Sequence, residues 1–478
     1  MKKRMSVLLA LLATPVLAQN FVQQQVQLQH PANGDMVLMP KAKVLLQSGH
    51  SDTQRWLSWV DLTTQQASLL GLPAHAQFFQ QASLAGQASE SLVLLGTEGI
   101  SRYDAASQSW SRLINTESLY RAVDQKRLPS LDFVLDVNKD GLSDFLIPDF
   151  QAYHLYLQQT DGSFNRFSLP VQSRVQVFQA EPDYRSKKPY QLDVNQDGLI
   201  DIAFQQDDQL LVYLQQPAGF STEPKLVDLQ LGLTPDNQAE LRGGDGRSFQ
   251  GLQLRRLFDM KDLNADGLAD IVVRQEQFQD AVEQSYSYRV HYAVAGAQRL
   301  SWPAEPGGLI NTKGIQSEPL FIDLNGDQKL DFYTPAAEFG IGKLVRALLA
   351  GTAGLELQFF PQLASGQFPS RPVYRQDATA QVSIGNGQIN LPVLKVLSSA
   401  NAPALLLIGD EDHLKIYASA KEKLFSSKSV QIKQAVPLNG MTAEALDLDQ
   451  NGKMDLVLPF THLDPPEVRN KLHFLLQQ

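Results

Sequence analysis

Asp136-Val-Asn138-Lys-Asp140-Gly141-Leu142-Ser-Asp144 is the first of five copies of one nine-residue pattern, each running straight into an apolar stretch. The others are Asp193-Val-Asn195-Gln-Asp197-Gly198-Leu199-Ile-Asp201, Asp262-Leu-Asn264-Ala-Asp266-Gly267-Leu268-Ala-Asp270, Asp323-Leu-Asn325-Gly-Asp327-Gln328-Lys329-Leu-Asp331 and Asp447-Leu-Asp449-Gln-Asn451-Gly452-Lys453-Met-Asp455. Asp-Asn-Gly clusters are common in ordinary turns. Five copies in one register make them a structural repeat.

Positions 1, 3, 5 and 9 carry side-chain oxygens, and position 7 offers a backbone carbonyl from Leu142, Leu199, Leu268, Lys329 or Lys453. With Gly at position 6 for a sharp turn, this is a donor set suited to a hard cation such as calcium. Each copy holds three carboxylates. At about 4 to 5 Å and an effective dielectric near 20, each like-charge pair costs roughly 3 to 4 kcal/mol. The pattern therefore predicts about five bound calcium ions. The spacing begins like an EF-hand, but position 12 is Ile147, Phe204, Val273, Thr334 or Leu458, so the bidentate Glu of that motif is missing. Each loop leads into a short β-prone run such as Asp144-Phe-Leu-Ile147 or Asp270-Ile-Val-Val273, of the kind buried on both faces.

These loops resemble the FG-GAP (VCBS) repeats of integrin-type β-propellers, in which a calcium loop joins the first two strands of a blade. Leu155-Tyr-Leu157 before the turn Asp161-Gly162-Ser-Phe164, and Leu211-Val-Tyr213-Leu before Gly219, match companion features of that family. The resemblance implies an all-β propeller with calcium in its loops. It also implies that protein ligands bind on the face opposite those loops.

The loops begin at 136, 193, 262, 323 and 447, giving three intervals of about 60 residues and one about twice as long. One blade has therefore lost its loop, and its remnant is Leu394 to Ile408. Ser91-Leu-Val-Leu-Leu95 with Ser101-Arg-Tyr103 marks a second blade without a cage. The last loop leaves too few residues for a full blade. Val26, Leu28 and His30, alternating with Gln, supply a strand from the N-terminus to complete it and remove the open edge. The expected fold is a seven-bladed propeller spanning 19–478. Eight is the alternative count, because Val44–Leu46, Trp56–Val60 and Ala67–Leu70 exceed what closure needs.

Residues 1–18 combine Lys2-Lys3-Arg4, an apolar run and Val16-Leu-Ala18, which predicts a secretory signal peptide cleaved after Ala18 and export to the periplasm or beyond. No later stretch is long and apolar enough for a membrane helix. The absence of cysteine excludes a lipid anchor on Cys, a disulfide framework and a thiol nucleophile. Net charge is −10, and no basic stripe favours nucleic acid.

The sequence holds no HExxH pair, GxSxG elbow or Gly-rich phosphate loop before a helix. His50-Ser51-Asp52 and Asp410-Glu-Asp412-His413 read as solvated turns, and Arg242 to Arg247 as a polar surface insertion. Trp56, Trp59, Trp110 and Trp302 could stack on sugars, although propeller strands also bury such rings. The expectation is a non-catalytic module for an envelope or extracellular protein or glycan. A lectin, or a polysaccharide lyase or hydrolase on the same scaffold, is the alternative. Gln328 in place of Gly predicts that the loop at Asp323–Asp331 binds calcium most weakly.

Overall fold

The computed structural model describes residues 21–122, 126–178, 181–236, 250–279, 284–296, 299–316, 319–337, 347, 349–382, 389–399, 402–410, 412–420 and 423–478. The segment expected to be a signal peptide, the Arg242 to Arg247 insertion and residues 400–401 lie outside the described residues.

Antiparallel sheets succeed one another along the chain. The third is built of Val134–Leu135, Asp144–Pro148, Tyr153–Gln158 and Phe164–Leu169, each strand pairing with the next in sequence. Equivalent sheets start at Met36, Ala76, Pro189, Gln253, Leu320, Leu394 and Glu444. Three second strands are buried throughout, Asp144–Pro148, Asp331–Ala337 and Asp455–Pro459. Fourth strands are polar and exposed, as in Ser109–Asn115 and Phe164–Leu169. In the third sheet burial therefore falls from the second strand to the fourth.

Alternate residues of a buried strand point to opposite faces, and here the two faces meet two different neighbours. Ile271 and Val273 pack with Tyr190, Ala203 and Val212 of the preceding sheet, whereas Val272 packs with Phe321, Phe332 and Phe360 of the next one. Apolar clusters of this kind fill every junction between consecutive sheets. A further one joins the last sheet to the first, through Leu45, Val60, Val457, Leu472 and Phe474. The sheets thus close into a ring of eight. This is an eight-bladed β-propeller.

Closure occurs as the sequence suggests. Phe21–Gln27 pairs with Lys471–Gln477 as the outer strand of the last blade, with Val26 opposite Leu472. Phe21 packs between the seventh and eighth blades, and Val26 and Leu28 between the eighth and first. The count is eight, the alternative to the seven expected, because residues 36–70 are not surplus to closure. Met36–Met39, Val44–His50, Arg55–Asp61 and Gln66–Leu70 make a complete first blade joined by short turns. The two blades expected to lack cages are the second, Ala76–Asn115, and the seventh, Leu394–Lys433.

Strand direction sorts the connections. Loops between first and second strands, which carry the acidic repeats, lie on one rim. Turns between second and third strands, and the links from blade to blade, lie on the other. Deleting Phe21–Gln27 removes two buried side chains worth about 1.5 to 3 kcal/mol each and bares the edge of Lys471–Gln477. The truncated protein is expected to lose at least about 3 kcal/mol in chemical denaturation and to scatter light on storage. Unchanged stability would mean that the ring does not need this strand.

Candidate functional site

All five acidic repeats fold alike. The position-1 carboxylate accepts the N–H of position 6: Gly141 on Asp136 at 3.0 Å, Gly198 on Asp193 at 2.8 Å, Gly267 on Asp262 at 2.8 Å, Gln328 on Asp323 at 2.9 Å and Gly452 on Asp447 at 3.0 Å. Position 3 accepts the N–H of position 5, in Asn138, Asn195, Asn264, Asn325 and Asp449. Position 5 accepts the N–H of position 7, from Asp140 to Leu142, Asp197 to Leu199, Asp266 to Leu268, Asp327 to Lys329 and Asn451 to Lys453. These short Asx-type bonds wrap the backbone around its own side-chain oxygens.

The turn needs left-handed residues at positions 4 and 6. Position 4 has φ of 60° at Lys139, Gln196 and Gln450 and 62° at Ala265; position 6 has φ of 80° to 86° where it is Gly. In the fourth loop the glycine has moved: Gly326 occupies position 4 with φ 81°, and Gln328 takes position 6 with φ 70°. Every loop therefore holds one non-glycine in the left-handed region. The fourth differs in placing it where the other loops are further from the centre of that well.

Position 9 behaves differently. Asp144, Asp201, Asp270, Asp331 and Asp455 are fully buried. One oxygen of each accepts the N–H of position 2, from Val137, Val194, Leu263, Leu324 or Leu448, at 2.8 to 3.0 Å. The other accepts an N–H just past the end of the third strand or from its last residues: Gln158, Gln215, Ala293, Gln362 or Gln477, at 2.7 to 2.9 Å. One carboxylate thus pins the loop to two strands. Burial pushes these carboxyls up to about 7 for Asp144 and Asp331 and about 6 for Asp201, Asp270 and Asp455. Two backbone N–H bonds oppose the rise, and the charges at positions 1 and 5 (1 and 3 for Asp455) add to it. Position 12, where an EF-hand has Glu, is fully buried core in all five: Ile147, Phe204, Val273, Thr334 and Leu458.

The donors are all hard oxygens, which fits calcium or magnesium rather than a thiolate- or imidazole-seeking metal. In the fifth loop Asp447, Asp449 and Asp455 each bring a carboxylate oxygen within 4.8 Å of the others.

The third-strand partners of position 9 are not part of the nine-residue pattern. Four of the five are Gln, and in two blades the partner lies 14 residues past the aspartate. Their side chains add further ties: Gln158 accepts from Ala85 and donates to Ser143, and Gln215 accepts from Ile200.

The remaining candidates are elsewhere. Asp412 pairs with His413 at 2.6 Å and Lys415 with Asp410 at an exposed turn, and Ser51 and Asp52 are exposed. The tryptophans serve packing. Trp56 and Trp302 are buried, with indole N–H bonds to Pro31 and Ala269. Trp59, Tyr103 and Trp110 pack with tilted rings between the first two blades, with Trp110 bonded to Gly71. Among the described residues no helix is long and apolar enough to cross a membrane.

No family model matches the chain, and no curated protein matches its sequence. Solved structures resemble it at low identity. An Agrocybe aegerita lectin that recognises non-reducing terminal N-acetylglucosamine is 12% identical, with 86% of this chain and 94% of that one covered and a TM-score of 0.42. The Dos1 propeller is 10% identical over 84% and 94%, TM-score 0.33. The V. cholerae biofilm matrix protein Bap1 is 9% identical over 93% and 76%, TM-score 0.25. None reaches 0.5, and the eight-bladed ring rests on the sheet topology above.

Replacing Asp201 with Asn tests the buried anchor. An amide offers one oxygen where two N–H groups converge, so the N–H of Val194 or Gln215 meets an NH2 group. The Asp201→Asn protein is expected to lose about 1 to 3 kcal/mol in denaturant titration. No loss would show that the carboxylate does not hold these strands.

Proposed function

We propose that this chain is an exported, calcium-stabilised propeller of the FG-GAP type, acting as a non-catalytic binding module for an envelope or extracellular protein or glycan. The observation that carries the reading is the repetition of one loop geometry five times, each ending in a buried carboxylate. A charged group taken out of water requires a compensating partner. Each of these has two N–H donors but also two like charges beside it. A dication held by positions 1, 3, 5 and 9, with the position-7 carbonyl, would reverse that balance: Asp136, Asn138, Asp140, Leu142 and Asp144 in the first loop, and the equivalent residues in the other four. Extracellular calcium modules bind at about 0.1 to 1 mM, which suits an exported protein.

The blades without a cage use other ties. Ser143 N donates to Ser83 O at 2.8 Å, and Ser398 Oγ donates to Asp323 O. Calcium is thus assigned to blades 3, 4, 5, 6 and 8 only. Of the ionisable clusters that the sequence singles out, Ser51-Asp52 and Asp412-His413 lie at exposed turns.

A ligand that binds only the folded ring stabilises it by about 2.7 kcal/mol per site at a hundredfold excess over its dissociation constant. Chelation is therefore expected to lower Tm, by an amount that tracks free calcium in differential scanning calorimetry; an unchanged Tm would overturn the calcium assignment. Retention of an envelope partner on immobilised protein, and its loss with chelator, tests the binding role. Gln328→Gly relieves left-handed strain of roughly 1 to 2 kcal/mol and is expected to tighten one site in calorimetric calcium titration. An identical isotherm would show that the substitution does not weaken the fourth loop.

A further inference from the structure

Asn-Gly pairs occur at Asn33-Gly34, Asn325-Gly326, Asn439-Gly440 and Asn451-Gly452 among the described residues, and Asn386-Gly387 lies outside them. Such a pair is chemically weak in water. The glycine nitrogen, with no Cβ beside it and a freely turning backbone, attacks the amide carbon of the asparagine side chain when its N–H is free and the two groups approach. What holds each N–H therefore decides whether the pair survives.

The four pairs fall into two classes. Gly34 N donates to Ser48 O at 3.1 Å and Gly440 N to Leu391 O at 2.7 Å. These acceptors are backbone carbonyls, and Asn33 is clamped as well, giving an N–H to His50 O and accepting one from His50 N, both at 2.9 Å. Gly326 N donates instead to the Asp323 carboxylate at 2.7 Å, and Gly452 N to the Asp447 carboxylate at 3.0 Å. Each of these carboxylates opens an acidic loop, in the sixth and the eighth blade. The asparagines are loop residues too, Asn325 at position 3 and Asn451 at position 5, and both are exposed.

Only the second class depends on charge. The two loops wrap Asp323, Asp327 and Asp331, or Asp447, Asp449 and Asp455, and repulsion among those carboxylates opposes the wrap unless a cation offsets it. An opened loop frees glycine and asparagine together, because Asn325 Oδ1 accepts from Asp327 N and Asn451 Nδ2 donates to Asp449 within the same turn. The other three loops carry Lys139, Gln196 and Ala265 after their asparagines, and those side chains hinder the attack.

We propose that Asn325 and Asn451 are calcium-gated deamidation sites, which record the loss of cation from the sixth and eighth blades as a permanent covalent change. The inference rests on the calcium reading of the loops. The glycine nitrogen bonds to the asparagine Cγ, the bond from Cγ to the amide nitrogen breaks, and that nitrogen leaves as ammonia with the proton given up by the glycine. Water then opens the cyclic imide, at one carbonyl to aspartate and at the other to isoaspartate. Aspartate adds a further carboxylate to the loop. Isoaspartate lengthens the backbone of a turn whose left-handed residues are fixed at positions 4 and 6.

Peptide mass spectrometry of the protein held with calcium or with EGTA, below the Tm of the chelated form, reads the deamidated fraction at each of the four asparagines. The reaction runs from the opened loop, so chelation is expected to speed it about tenfold or more at Asn325 and Asn451 and less than about twofold at Asn33 and Asn439. Gly326→Ala installs the residue that the third loop already holds at position 4, Ala265 at φ 62°, and a Cβ on Gly326 would meet nothing within 4 Å. In chelator it is expected to slow the reaction at Asn325 about tenfold or more and to leave Asn451 unchanged. Unchanged rates at Asn325 and Asn451 on chelation, equal acceleration at all four asparagines, or no effect of Gly326→Ala would overturn the inference. If chelation lowers Tm while both asparagines stay intact, the deamidation sites fail and the calcium assignment stands. If it alters neither, both fail.

Discussion

The buried aspartate at the end of each acidic loop is the contact on which the rest of this ring depends. Asp144, Asp201, Asp270, Asp331 and Asp455 have no solvent access, yet each ties the start of the loop to the third strand through two backbone N–H bonds. A neutral side chain of the same shape cannot accept both. The carboxylate form is therefore structurally required, while burial and two neighbouring carboxylates work against it. A cation in the loop would resolve the conflict, and the wrapped side-chain oxygens at positions 1, 3 and 5 belong to the same nine-residue turn as the aspartate.

The loops also hold neighbouring blades to one another. Leu330 N donates to Leu263 O at 2.9 Å, joining the sixth blade's loop to the fifth, and Gln362 reaches the same carbonyl. Leu300 N donates to Val194 O at 2.8 Å, joining the fifth to the fourth. Gln450 of the eighth blade donates to Pro40 of the first. Distortion of one loop would thus strain the next, and the ring has no free edge at which the strain could relax. Any stability gained by filling one loop would for this reason be shared with its neighbours, unlike an isolated surface site.

Much of this is legible in the sequence, for a physical reason. The acidic repeat marks the start of each caged blade, and the apolar run after it must be buried on both faces, so sheet period and stacking both come with it. Phe21–Gln27 shows its closing role through Val26 and Leu28. The first blade is harder because Met36–Leu70 turns on short loops, including Lys43 at φ 54° and Gln65 at φ 55°, with no acidic signature; its three apolar runs are visible, but nothing in them separates a whole blade from strands surplus to closure. The third-strand partners of the aspartates are not legible at all. They bond through backbone N–H, which any residue but proline offers, as Ala293 shows. Their separation from the aspartate varies from 14 to 31 residues.

The two rims are built under different constraints. On the loop rim the nine-residue turn leaves little freedom: φ at two positions, side-chain oxygens at four and burial at the last are all set. The opposite rim carries the links between blades, and these vary in length and content. One forms the hairpin of Arg174–Phe178 and Glu181–Arg185. There the second and third strands of the fifth blade also lengthen, as Asp270–Phe278 and Gln284–His291, and hold Arg274 against Glu276. Chemical variety can accumulate on that rim without disturbing the acidic turns.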